Sequence, residues 1–290
     1  MDPQHLIVLV IGIVGSLTVH LSQGLLKLAI LRRADGAGGR RNSFLYTTGL
    51  VLNLSAPLWV ILANRFGPTV LYTSMYATGL LGLILFSCWK LGRPLRAAEG
   101  FGALLIMIGS AVVVLGYQRG GITEMETTAP GWLLGAALML ALLLIPGVRL
   151  AEHWEWLPTG LVMGGFGGAF LAIDSLLKGV AQAEGGAGAF LPISGTGWTL
   201  FALSFLGAAA ALGMTQWAHA KKQPPTPTIA AYDAAYVALP ILILPLAQGQ
   251  GIGLDPVCLA GLGLIVGGLF WIGRANQNVL PKSKRSFPTS

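Results

Sequence analysis

Nine stretches of about twenty largely uncharged residues follow one another along the chain, with only short polar intervals between them. A run of this kind has few ways to fold. In a bilayer core about 30 Å thick no water satisfies the backbone, and a helix satisfies its own amides and carbonyls. The composition agrees: 54% of the 290 residues are hydrophobic, 10% are charged and mean hydropathy is +0.72, against about 25% charged in a soluble average. The expected fold is an all-α membrane protein with spans at 6–31, 43–64, 69–89, 98–117, 131–150, 158–180, 197–218, 228–248 and 255–273. The first run has Asp2 in place of a basic leader and no small-x-small cleavage site before a polar sequence, so it is expected to stay as a span.

Basic residues set an orientation. Arg32, Arg33, Arg40, Arg41, Lys90, Arg93, Arg96, Arg149, Lys221, Lys222, Arg274, Lys282, Lys284 and Arg285 fall on one side of the nine-span plan. Only Arg65 and Arg119 fall on the other, Arg119 close to Glu124 and Glu126. The amino terminus is then expected outside and the carboxyl terminus in the cytoplasm. The net charge of +7 and pI near 9.7 report this asymmetry. Nucleic-acid binding would need a soluble basic face, which this plan does not provide. Residues 274–290 read as a basic cytoplasmic tail suited to anionic lipid.

A repeat underlies the pattern. QGLLKLAIL at 23–31 and DSLLKGVAQ at 174–182 both place Leu-Leu-Lys shortly after a polar residue, which pairs Gln23 with Asp174 and Lys27 with Lys178. A second alignment, shifted by 159 positions, runs without a gap from Pro68 to Gly109. It pairs Pro68 and Thr69 with Pro227 and Thr228, LLGLILF with LPILILP, Leu95 with Leu254, Gly102 with Gly261 and Gly109 with Gly268. The Gly-rich loop AEGGAGAFLPISGTG can absorb the difference between the two shifts. Residues 6–117 and 158–273 are therefore expected to be two four-helix repeats joined by a linking helix at 131–150. One extra crossing inverts the second repeat, a plan that recurs in secondary transporters.

FGPTVLYTSMYATGLLGLILF, the Gly-spaced EGFGALLIMIGSAVVVLG, DAAYVALPILILP and the Lys-ended first helix of each half resemble the drug/metabolite transporter superfamily. Nine spans with an external amino terminus are most similar to its NIPA-type magnesium-transporter-like branch; EamA-type permeases are ten-span relatives. The resemblance covers about residues 6–273 and implies a carrier. EamA-like repeats often end the helix before the last one with Gly-Glu, where this sequence has Trp89-Lys90 and Gln248-Gly249.

Polar groups inside the spans are the candidates for chemistry. Ser16, His20, Gln23 and Lys27 share one face of span 1. Lys27 can instead snorkel to the interface, and His20 can be a hydrogen-bonded core histidine or a proton-linked one. Asp174 and Lys178 are four apart on span 6 and can pair. At the bilayer centre each charge opposes insertion by about 2.5 to 3.5 kcal/mol, so the pair needs partners or a hydrated cavity unless it only neutralises itself. Thr69, Thr73 and Tyr76 form a polar stripe on span 3, matched on span 8 by Thr228 and Tyr232 with Asp233 and Tyr236 adjacent. These tyrosines can line a cavity or anchor helix ends at the interface. Asn53, Gln216 and His219 can also serve as interhelical hydrogen-bond donors and acceptors. Pro240 and Pro245 are expected to kink span 8, and Gly160, Gly164 and Gly168 to permit close packing.

No enzyme signature appears. His5, His20, His153 and His219 form no HExxH, Cys88 and Cys258 form no metal-ligand cluster, and no phosphate-binding loop is present. No cofactor is expected, and the partners are the lipid bilayer, a small solute or ion and, as an assembly open to it, a homodimer. The expectation is a carrier of a small polar or amphipathic solute by alternating access. Alternatives are a carrier of magnesium or another cation, for which the membrane carboxylates are few, chiefly Asp174 with Asp233 second, and a non-transporting scaffold or receptor.

Overall fold

The computed structural model describes residues 3–36, 39–90, 92, 94, 96–119, 128–153, 158–186, 188–249 and 255–277. Arg93, Glu124, Glu126, Lys282, Lys284 and Arg285, together with most of the basic tail, lie outside the described residues. Nine helices among those described are long and apolar enough to cross a membrane. In chain order they are α1 (Pro3–Ala34), α2 (Arg40–Asn64), α3 (Thr69–Lys90), α4 (Ala97–Tyr117), α5 (Pro130–His153), α6 (Thr159–Ala183), α7 (Gly195–Ala220), α8 (Pro225–Ala247) and α9 (Pro256–Ala275). The protein is thus an all-α protein of multi-pass membrane type.

Local chemistry sets the ends. Pro130, Pro225 and Pro256 open α5, α8 and α9, where the missing amide proton costs nothing. Gly249, with φ of 71°, follows the end of α8 in the left-handed conformation that glycine adopts without strain. Two helices are interrupted. α2 breaks at Ser55 between Arg40–Leu54 and Ala56–Asn64, and α3 passes through a 3-10 turn at Met75–Ala77. α8 continues through both Pro240 and Pro245.

Burial sorts the helices into a centre and a rim. In its most apolar window 78% of α6 is buried, and 67% of both α3 and α8, but only 11% of α5. Leu138, Leu142 and Ile145 of α5, Leu206 of α7 and Phe270 of α9 point outward. Asp174, Lys178 and Asp233 are meanwhile fully buried. Apolar flanks around a charged centre are what a hydrocarbon solvent favours.

Small residues bring the helices together. Gly164 and Gly168 place α6 directly on the backbone of α8, where an added Cβ would meet the carbonyls of Thr228 and Tyr232. α4 and α9 cross in antiparallel fashion at Gly102, Gly109, Gly261 and Gly268. A Cβ on Gly102, Gly109 or Gly261 would stand 2.7 Å from a carbonyl oxygen of the facing helix. Such contact suits membrane helices, whose association relies on close packing.

Candidate functional site

α1, α3, α6 and α8 meet around a buried set of polar and aromatic side chains. On α1, Ser16 lies one turn before His20 and both are buried. Ser16 Oγ donates to the carbonyl of Tyr76 and accepts from Gly79 N at 2.9 Å. These contacts hold α1 against α3 at its 3-10 turn, a kind of mid-helix interruption that often marks a hinge or a site under strain. The His20 ring packs 5.2 Å from that of Tyr76. Its Nδ1 lies 2.7 Å from Ser16 O, and its Nε2 lies 3.0 and 2.9 Å from the two carboxyl oxygens of Asp233 on α8.

Aromatic rings fill the space beside this pair. Tyr76 and Tyr236 lie edge to face with centroids 4.6 Å apart, and Tyr72 and Tyr232 flank them at 6.2 and 6.3 Å from Tyr76. The Tyr236 hydroxyl is 2.7 Å from Ser175 Oγ on α6. The Tyr76 hydroxyl lies against that of Tyr232, and the Tyr72 hydroxyl is buried without a hydrogen-bond partner among the described residues, an exception to the rule that buried polar atoms are paired.

Next to Ser175 in sequence, Asp174 Oδ1 accepts from Lys178 Nζ in an intrahelical ion pair whose members are both fully buried. The Lys178 ammonium also lies 4.1 Å from the centroid of the Phe205 ring on α7. The Ser204 hydroxyl on α7 lies beside the Asp174 carboxyl and is placed to donate to Phe201 O at 2.7 Å. The centre therefore holds two ionisable pairs, Asp174–Lys178 within α6 and His20–Asp233 between α1 and α8. All four groups are closed to solvent, and Asp174 and Lys178 have each other and the Phe205 ring as partners.

The remaining candidates separate from this centre. Gln23 and Lys27 turn toward α7. His219 Nε2 lies 3.1 Å from Gln23 Oε1, and Gln23 Nε2 lies 3.5 Å from Thr215 Oγ1. Lys27 is buried, and its Nζ donates to His219 O at 3.3 Å and Gln223 O at 3.1 Å, carbonyls at and just beyond the end of α7. Asn53 donates to Ser22 Oγ at 3.0 Å and ties α2 to α1 away from the centre. Thr73 donates to Val70 O within its own helix, Thr228 to Pro224 O, and Gln216 Nε2 has no partner. Among the described residues no group of three or more His, Cys, Asp or Glu gathers as metal ligands do.

Three contributors were not singled out from sequence. Tyr72 is four residues before Tyr76 and could have been found by extending that face by one turn. Ser175 and Thr215 carry no such signal, since single hydroxyls are ordinary in membrane helices. Compared with protein-family models, curated proteins and solved structures, the chain matches none.

Proposed function

We propose that this protein is a membrane carrier of the drug/metabolite type that moves a small polar or amphipathic solute by alternating access. The observation that carries this is the buried centre: two carboxylates, a histidine, a lysine and four tyrosines at the meeting of α1, α3, α6 and α8, within helices whose outer faces are apolar. Ionisable groups at membrane depth are costly and commonly mark solute or ion pathways. The mixture suits a solute with hydrogen-bonding groups and an apolar face, because the Tyr72 hydroxyl and the Asp174 carboxyl stand among aromatic rings.

Two inverted repeats would supply the second access state. Support comes from the α4–α9 crossing. Any antiparallel crossing has a local two-fold axis, so only the position of its centre is informative. Here the contacts join Gly102 to Gly268 and Gly109 to Gly261, while Gly261 and Gly268 are the residues that a shift of 159 assigns to Gly102 and Gly109. The crossing is therefore centred where the sequence repeat requires. The amino terminus would lie outside and the carboxyl terminus in the cytoplasm, following the arginines and lysines.

A magnesium ion is the less favoured cargo. It prefers oxygen ligands and keeps several waters, and here it would compete with Lys178 for Asp174 and with His20 for Asp233. Purified protein in vesicles, offered panels of labelled organic solutes and cations, tests these readings. Uptake of an organic solute above empty vesicles is expected. Cation uptake alone would favour the magnesium alternative, and no uptake with a copurifying protein partner would favour a scaffold.

A further inference from the structure

We infer that His20 and Asp233 together form a binding site for one proton and that its occupancy makes or breaks the contact between α1 and α8. The chemistry of the acceptors leads there. Ser16 O is a carbonyl and only accepts, so the 2.7 Å contact places a proton on His20 Nδ1. Nε2 then faces two carboxyl oxygens of Asp233 at 3.0 and 2.9 Å. If the imidazole carries only its Nδ1 proton and Asp233 is ionised, a nitrogen lone pair points at oxygen lone pairs and nothing joins them. The observed geometry needs one more proton, held either on Nε2, giving imidazolium and carboxylate, or on Asp233, giving a neutral acid that donates to Nε2.

In both forms the pair is neutral. Loss of that proton to water leaves one net negative charge, with no covalent bond changed and no electron moved. The surroundings make that charge consequential. Tyr76 of α3 and Tyr232 of α8 adjoin the pair, Tyr72 and Tyr236 pack on Tyr76, and the Asp174–Lys178 couple of α6, which reaches the same Tyr232, already neutralises itself. Lys27 and His219 lie further along α1 and α7 and are joined through the Lys27 contact with His219 O. Since His20 and Asp233 are both buried, a deprotonated pair must part or admit water, and either movement separates α1 from α8 beside the 3-10 turn of α3. The ligand is the proton. That it drives solute movement rests on the carrier reading above.

The site is tested first without any solute. In nitrogen- and carbon-labelled full-length protein in nanodiscs, the His20 ring nitrogens and the Asp233 carboxyl carbon are followed by NMR across pH. Expected are a persistent Nδ1 proton on His20 and one shared titration step for both residues. Asp233→Asn should remove that step from His20 while leaving the signals of His5 and His153 in place. Independent titration of the two residues, or an unprotonated Nδ1 while the pair is intact, overturns the site; the wild-type titration decides this even if the variant does not fold. The coupling is tested in vesicles loaded with a pH-sensitive dye. Uptake of a solute should shift lumenal pH, and an imposed gradient of one pH unit should support up to about tenfold accumulation per proton. Uptake with no pH movement overturns the coupling. No uptake of any solute, with the shared titration intact, overturns the carrier reading and leaves the proton site standing.

Discussion

Asp174 and Lys178 show what a single side chain contributes in this bundle. Removing one member of a buried ion pair typically costs about 3 to 5 kcal/mol, because the partner stays buried and charged, whereas replacing both by well-packed apolar groups is often neutral. Asp174→Asn is therefore expected to lower folded yield as well as uptake. Asp174→Asn combined with Lys178→Met should recover yield in detergent-solubilised preparations but not uptake; recovery of both would reduce the pair to a structural element. Lys27 makes a different case. Its Nζ satisfies two carbonyls at and just beyond the end of α7, and a hydrogen bond to a charged group is worth about 1.5 to 3 kcal/mol. Lys27→Met should lower the thermal midpoint clearly and Lys27→Arg much less, in the same unfolding assay. The spacing of residues 16, 20, 23 and 27 gave one stripe, yet the structure splits it between α8 and α7. Periodicity places residues on a face of a helix and is silent about which neighbour that face meets. For the same reason the pairing of His20 with Asp233, 213 positions apart, was not readable from either residue alone.

At the scale of the helix, all nine spans were legible because the bilayer imposes one length and one polarity on each crossing. The 3-10 turn in α3 was not, since it depends on contacts with α1, whereas the Ser55 break in α2 falls just before Pro57, whose missing amide proton interrupts the helical ladder and which was not singled out from sequence. Glycine spacing was legible and has a measurable consequence. Gly168 lies against the backbone of Tyr232, whereas a Cβ on Gly165 would meet nothing within 4 Å. Overpacking a tight contact costs about 1 to 3 kcal/mol, and here the obstacle is backbone that cannot rotate away. Gly168→Val should reduce thermal stability by at least that amount, while Gly165→Ala should leave the midpoint within experimental scatter. Equal effects at the two positions would show that the α6–α8 contact is looser than described.

For the molecule as a whole, the proposed nine-crossing plan would put the two chain ends on opposite faces, with the carboxyl terminus in the cytoplasm as the basic residues suggest. Tags on the two ends should therefore be protected from a membrane-impermeant protease in opposite vesicle orientations. Protection of both together would remove the inverted plan. In the proposed carrier the buried centre would open in turn to each face. Ser175 sits at that centre, fully buried and 2.7 Å from the Tyr236 hydroxyl, and cysteine is nearly its size. With Cys88 and Cys258 replaced by serine, Ser175→Cys can be probed in oriented vesicles with a charged, impermeant thiol reagent applied from one side at a time. Modification from both sides, slowed by a transported solute, is the expected result. Labelling from one side only, or from neither, would contradict alternating access through this centre.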